Sequence, residues 1–234
     1  MKIIAFPYAF GNSNIYCELA ENLKNSVEFI SIDYPGHGKR FCEDLRFTIH
    51  DIIYDMFDKL KNVFVSDEKY CFLGYSMGGI VAYELCQRIA KEGLKLPEHI
   101  FILGTSALSH KYRNEEFENY DILKTRGILK KYGNTSDEIL ENDELIEVLM
   151  PIVKADLIAL RDYEANPENM ICIESDITVI RGSEEDNLTE CQGEWRKYIK
   201  KEYEYMIYPG NHFFLFEGGK KVIEEITEII SNRI

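Results

Sequence analysis

No stretch of this 234-residue chain approaches the roughly 18–20 consecutive apolar residues that a membrane-spanning helix needs. The opening Met1-Lys2-Ile3-Ile4-Ala5-Phe6-Pro7 is too short and too soon interrupted for a signal peptide, and reads better as a first strand. CxxC pairs are missing. The six cysteines are scattered at positions 17, 42, 71, 86, 172 and 191, away from any histidine cluster. Neither a disulfide framework nor a zinc site is expected, and the thiols read as reduced and mostly buried, as in a cytoplasmic protein. Positive charge is also short: 27 Lys and Arg stand against 41 Asp and Glu, a net charge of −14. That balance argues against nucleic acid or an anionic membrane as partner. Repeats, linkers and low-complexity tracts are absent. What is present is a chain 45% hydrophobic, enough for a substantial core. It is long enough for one domain, or one domain with an insertion.

The most informative stretch is Gly74-Tyr75-Ser76-Met77-Gly78-Gly79. Residues 69–73 before it form a short apolar run that reads as a buried strand. Residues 80–90 after it carry Ile80, Tyr83, Cys86 and Ile89 at helical spacing, and Gly93 ends that pattern. A serine on a strand-to-helix turn within G-x-S-x-G is a nucleophile elbow. Its glycines allow strand and helix to approach where a Cβ would clash. The turn aims the Met77 amide at the space above the hydroxyl, at a helix N-terminus, as one half of an oxyanion hole.

The remaining chain alternates strand and helix. Strands are expected at 2–6, 27–32, 69–73, 99–103, 177–181 and 204–208. Helices are expected at 14–23, 48–63, 80–90, 190–200 and 220–230, with turn clusters at 7–13 and 33–40. Residues 107–169 break the rhythm. They are helical in character, clearest at 137–150 and 152–163, with Pro151 and Pro167 as punctuation, and read as a lid inserted over a sheet. The pattern predicts one α/β domain: a mostly parallel central sheet, helices on both faces, and a helical lid insertion at 107–169. Sites in such sheets lie beyond the strand C-termini.

A serine hydroxyl needs a base. Of five histidines, His50 and His99 fall in expected elements and read as structural, and His110 opens the insertion with no partner in view. His37 sits in the loop Pro35-Gly36-His37-Gly38, near the site edge. His212 follows the last strand, and the order Ser…acid…His required by this architecture makes it the base. The acid belongs after the preceding strand, where Gly182-Ser183-Glu184-Glu185-Asp186 offers three carboxylates. Offset from the glycine points to Glu185. Residue type points to Asp186, whose shorter side chain suits a loop longer by one residue. Asp186 is preferred, with Glu185 as the alternative.

Several stretches together are more specific than the elbow. They are Phe6-Pro7-Tyr8-Ala9, Pro35-Gly36-His37-Gly38-Lys39-Arg40, the elbow, residues 149–156 ending in Ala155-Asp156, Trp195, and Pro209-Gly210-Asn211-His212-Phe213-Phe214. With these the chain resembles the external (type II) thioesterases that accompany nonribosomal peptide and polyketide synthetases, in the α/β-hydrolase superfamily. It departs from their usual pattern at Phe10, where a glycine is common, at Tyr75 for histidine, and at His37 for arginine. The resemblance implies a triad of Ser76, Asp186 and His212, and an oxyanion hole made by the amides of Ala9 and Met77. It implies release of acyl or aminoacyl groups from the phosphopantetheine arm of acyl or peptidyl carrier proteins, with no diffusible cofactor and no metal. A monomer is expected. The alternatives are a small-molecule carboxylesterase or lipase, a medium-chain acyl-carrier-protein hydrolase, and a non-enzymatic acyl-binding protein on the same scaffold. Within the insertion, basic residues including Lys111, Arg113, Lys124, Arg126, Lys130 and Lys131 precede a purely acidic stretch at 137–147. The basic half is expected to guide an acidic carrier.

Overall fold

The computed structural model describes residues 1–108, 120–132, 134–165, 168, 170–171, 173–199, 201 and 203–234. Among them, six strands form one sheet: β1 Lys2–Phe6, β2 Glu28–Ser31, β3 Tyr70–Tyr75, β4 His99–Leu103, β5 Asp176–Gly182 and β6 Glu204–Tyr208. Their order is β2-β1-β3-β4-β5-β6, and every pairing is parallel. The sequence of strand and helix dictates this, because each crossover returns the chain to the same end of the sheet. The chain steps outward from β1 to β2 and then returns to β3 on the other side of β1. Phe6 pairs with Gly74 in that register, so the loops leaving β1 and β3 start side by side. Such a reversal of direction opens a crevice at the strand C-termini.

The sheet is apolar on both faces, as a covered parallel sheet must be. Alternation along β1 sends Ile4 and Phe6 to one face and Ile3 and Ala5 to the other. The first face is covered by α2 (Ile49–Phe64) and α3 (Met77–Lys91), with α7 (Leu188–Trp195) contributing the fully buried Trp195. The stripe Ile49, Ile52, Ile53, Met56, Phe57 and Leu60 is the buried side of α2, and Thr48 caps that helix by accepting from the Asp51 amide at 3.0 Å. The second face is covered by α1 (Cys17–Leu23) and α9 (Gly219–Ser231), with α8 (Phe214–Glu217) between β6 and α9. His99 is a structural residue, with Nε2 2.8 Å from the Thr178 hydroxyl and a ring stacked on Phe101. Burial pushes its pKa down to about 4. The five described cysteines, 17, 42, 71, 86 and 191, are free, and Cys172 lies outside the described residues. No helix among the described residues is long and apolar enough to cross a membrane.

Between β4 and β5 lie α4 (Ile122–Tyr132), α5 (Asp137–Leu140) and α6 (Asp143–Arg161). These helices share a cluster of their own, built from Ile128, Leu129, Leu140, Ile146, Val153 and Leu157. The expected break at Pro151 does not occur: α6 runs through it. The buried residues Ile146, Val153, Leu157 and Leu160 keep one helical phase across the proline. Burying each such side chain contributes about 1.5–3 kcal/mol, which together outweighs the roughly 3 kcal/mol an internal proline costs. The real boundary is Asn142, whose side chain accepts the Leu145 amide and starts α6.

Candidate active site

Ser76 is the residue between β3 and α3. Its backbone sits at φ 53°, ψ −114°, a region a side chain rarely enters. The structure holds it there from three sides. The Ser76 amide donates to Leu103 O at 2.8 Å, while its carbonyl accepts from the Gly79 amide at 2.9 Å and from the Thr105 hydroxyl at 2.9 Å. A Cβ at Gly74 would collide with the carbonyl of Gly78, and one at Gly78 with the carbonyls of Phe6 and Pro7. The second clash shows how closely the end of β1 presses on the first turn of α3. Gly79 belongs to the same set, since a Cβ there would strike the Thr105 hydroxyl.

His212 lies on the loop after β6. Its Nε2 is 3.2 Å from Ser76 Oγ, and its Nδ1 is 3.0 Å from Glu185 Oε2. The His212 carbonyl accepts the Tyr75 hydroxyl at 2.7 Å, and Tyr75 is fully buried under the loop. The loops after β5 and β6 are stitched together. Ser183 N–H donates to Tyr208 O and Glu184 N–H to Gly210 O, while a Cβ at Gly182 would collide with Asn211 O.

The carboxylate facing His212 is therefore Glu185, and Asp186, the preferred acid, is exposed. Side-chain length explains the difference. Glu185 closes a tight turn, its own amide donating to Gly182 O at 3.2 Å, and no inserted residue lengthens the loop. Its extra methylene lets Oε1 accept the Gly182 amide at 2.8 Å while Oε2 faces both His212 and Arg181 Nη2, the latter at 2.9 Å. Asn187 then enters the left-handed region at φ 56° as the chain turns into α7. The Glu185 side chain is only 7% exposed. Burial alone would raise its pKa, but hydrogen bonds from His212 and Arg181 and the charges behind them bring it down to about 2. It is an anion at neutral pH.

Arg181 was not among the expected site residues. It is 3% exposed, and its guanidinium also reaches Cys191 Sγ at 2.9 Å and Thr105 O at 3.4 Å. The available signal was a lone arginine ending the apolar run Ile177-Thr-Val-Ile180, four residues before a carboxylate.

The other expected residues distribute as follows. Met77 opens the 15-residue α3, with its amide beside Ser76. Ala9 is 7% exposed on the loop after β1 and packs in the same cluster as Met77. His37 is buried and bonded to Asp156 rather than to the triad. His50 is on the surface of α2. His110 lies outside the described residues, as do Lys111 and Arg113. Serine, imidazole and carboxylate in one hydrogen-bonded line form a relay able to take a proton from the serine and return it to a leaving group. An amide at a helix N-terminus suits a developing oxyanion, and Met77 occupies that position beside Ser76.

Residues 1–232 match the family described as Thioesterase domain. Among curated proteins, the chain is 26% identical over 226 residues to the gramicidin S biosynthesis protein GrsT of Aneurinibacillus migulanus, covering 96% of this chain and 86% of that one. It is also 26% identical to the medium-chain S-acyl fatty acid synthase thioesterase of Rattus norvegicus, covering 92% and 82%. Among solved structures, the fold is similar to the RedJ thioesterase of the prodiginine pathway in Streptomyces coelicolor. That match has a TM-score of 0.85 at 22% identity and covers 100% of this chain and 90% of that one. ClbQ of the colibactin pathway gives 0.86 at 22% identity, covering 99% and 97%.

Proposed function

The chain belongs to the thioesterase-domain family, and from that premise we propose that it is an editing thioesterase acting on acyl or aminoacyl groups carried by the phosphopantetheine arm of carrier proteins. The observation that carries the reading is the line from Ser76 Oγ to His212 Nε2 at 3.2 Å and from His212 Nδ1 to Glu185 Oε2 at 3.0 Å. GrsT is named for gramicidin S biosynthesis, RedJ as a thioesterase of the prodiginine biosynthetic pathway and ClbQ for the colibactin NRPS/PKS pathway, which supports the substrate class.

The mechanism follows from the positions. Glu185 accepts a hydrogen bond from the Nδ1–H of His212, which leaves the Nε2 lone pair facing Ser76. His212 takes the hydroxyl proton as Ser76 Oγ attacks the thioester carbonyl. Negative charge collects on the carbonyl oxygen, held by the amides of Met77 and Ala9. The C–S bond breaks, His212 protonates the leaving thiol, and the acyl group stays on Ser76. A water, deprotonated by the same imidazole, then hydrolyses the ester and restores the serine. Glu185 remains ionised throughout and stabilises the imidazolium, with Arg181 fixing its orientation. These side chains complete the chemistry without a diffusible cofactor. The pantetheine arrives attached to the partner.

The helices between β4 and β5 are the part of the chain available as a lid over Ser76. Guidance of a carrier by its basic residues is assigned to Lys130 and to Lys124, whose ammonium also stands over the Tyr120 ring at 5.7 Å. Arg126 is bound within the segment, donating to Leu140 O at 2.7 Å and pairing with Asp143. We place the enzyme in the cytoplasm, where acyl carriers are loaded. The rat relative favours a second reading, hydrolysis of medium-chain acyl groups from a fatty acid synthase. Both are tested by presenting one carrier protein with acetyl, aminoacyl and decanoyl loads, beside a soluble ester of the same acids. Preference for carrier-bound short or aminoacyl groups supports editing. Preference for decanoyl supports the second reading, and preference for the soluble ester would overturn both.

A further inference from the structure

Two of the most deeply buried polar side chains outside the triad, Asp156 and His37, meet at one point. Asp156, on α6, is 0% exposed. Its Oδ2 accepts the Phe10 amide at 2.7 Å and lies 3.0 Å from His37 Nε2. His37 is 3% exposed, and its Nδ1 is 3.0 Å from Pro35 O. A carbonyl oxygen can only accept, so Nδ1 carries a proton. An ionised carboxylate can only accept, so Nε2 carries one too. While Asp156 is ionised, His37 is an imidazolium.

The anchored amide is a particular one. Phe10 has φ 69°, the left-handed region, where a bulky residue needs outside support. It directly follows Ala9, and its side chain packs against both the main core and the cluster of α4, α5 and α6. The same loop is pressed on the elbow, through the carbonyls of Phe6 and Pro7 against Gly78.

We propose that the buried His37–Asp156 pair is a positioning device for the oxyanion hole: Asp156 holds the Phe10 amide, fixes the Ala9–Phe10 turn over Ser76, and couples the seating of α6 to that turn. This rests on the reading of Ala9 as an oxyanion donor. Asp156 touches no reacting atom. It acts through the loop, as a positioning residue. The groups facing His37 are Asp156 from α6, Asp33 beyond the end of β2, and Tyr34, whose ring meets the imidazole edge-on at 5.7 Å. Tyr34 donates its hydroxyl to Pro7 O, and Asp33 accepts the Ser13 and Lys39 amides, so these neighbours tie down the same two loops. Burial opposes the charge on His37, but Asp156 and its hydrogen bond raise the imidazole pKa above the ordinary histidine value. The stabilisation that the charged imidazole contributes is fully present below the ordinary histidine value of 6.5 and is lost as pH rises through the raised value.

The test compares full-length wild type, Asp156→Asn and His37→Gln on an acetyl-pantetheine thioester. Each is also measured with two acetyl-pantetheine analogues: a trifluoromethyl ketone, which forms a tetrahedral oxyanion, and a thioether, which cannot. Removing an oxyanion donor outright costs about 100- to 1000-fold, so displacing one should cost about 10- to 100-fold. Asp156→Asn is expected to lower kcat by that factor, leave KM within about twofold, and weaken the ketone, not the thioether, by the same factor. His37→Gln keeps a donor to Asp156 without a charge. It should show the same loss on a smaller scale, without the alkaline fall in ketone affinity expected of wild type, and it carries the test if Asp156→Asn does not fold. Equal weakening of both analogues, or unchanged preference for the ketone in a folded variant, overturns the positioning role alone. A wild type with no preference for the ketone overturns the oxyanion reading and this inference with it.

Discussion

Replacing Glu185 by glutamine should remove most of the activity, and replacing Asp186 by asparagine should remove almost none. Glu185 Oε2 is the acceptor of His212 Nδ1 and also takes Arg181, while Oε1 takes the Gly182 amide. Glutamine has nearly the same shape but only one acceptor oxygen. Its NH2 cannot accept the Nδ1 proton, so either the wrong imidazole tautomer faces Ser76 or the Gly182 and Arg181 contacts are given up. It also carries no charge to stabilise the imidazolium. In a serine triad the same carboxylate-to-amide change costs about 10⁴ in kcat, and we expect 10³- to 10⁴-fold here. A shift of the Glu185 pKa from 4.5 to about 2 corresponds to roughly 3 kcal/mol of preference for the ionised form in the fold. The variant should therefore also unfold earlier, because Arg181 keeps its charge and loses its partner. The assay is release of free thiol from an acyl-pantetheine thioester, run well below each variant's melting point, with far- and near-UV circular dichroism to show that the fold is present. A folded Glu185→Gln enzyme near wild-type rate, or a larger loss in Asp186→Asn, would refute the assignment.

The remaining expectations are narrower. Because Glu185 is more acidic in the fold than in the unfolded chain, its contribution is fully present above about pH 4.5 and lost as pH falls toward 2; acid unfolding of Glu185→Gln should lack that component, and identical acid titrations would contradict it. Gly78→Ala drives a Cβ into two backbone carbonyls that cannot move aside singly. Overpacking of this kind costs about 2 kcal/mol or more, so calorimetry should show Tm lowered by about 5 °C, with activity falling further because these carbonyls, at the end of β1 and the residue after it, lead into the Ala9 loop. Lys124→Glu with Lys130→Glu should raise KM for acyl-carrier protein, most at low ionic strength, and leave an acyl-pantetheine thioester unchanged; equal effects on both substrates would remove the docking role.

All six strands were legible because each is a short apolar run bounded by turn residues, and the elbow because Gly74 and Gly78 have no other reason to flank a serine on such a turn. Chain order was enough to single out His212. The acid was not legible to the residue. Offset from Gly182 pointed to Glu185 and residue type to Asp186, and the three-dimensional turn from Gly182, with Arg181 behind it, decides for Glu185. The continuity of α6 through Pro151 was hidden for a similar reason: a local rule breaks the helix, and the buried stripe from Ile146 to Leu160 outweighs it. Asp156 was visible as part of a motif, but its role depends on Phe10 and His37, more than a hundred residues away in the chain.

In the proposed mechanism Ser76 carries the acyl group between the two half-reactions. Wild type and Ser76→Ala should each be mixed with an acyl-loaded carrier protein, quenched within a turnover, and examined by intact and peptide mass spectrometry. An acyl adduct is expected on the wild-type peptide containing Ser76, with free thiol appearing on the carrier. Neither adduct nor free thiol above background is expected in Ser76→Ala. Carrier thiol released by Ser76→Ala at the wild-type rate, or an acyl group found on another residue, would contradict it.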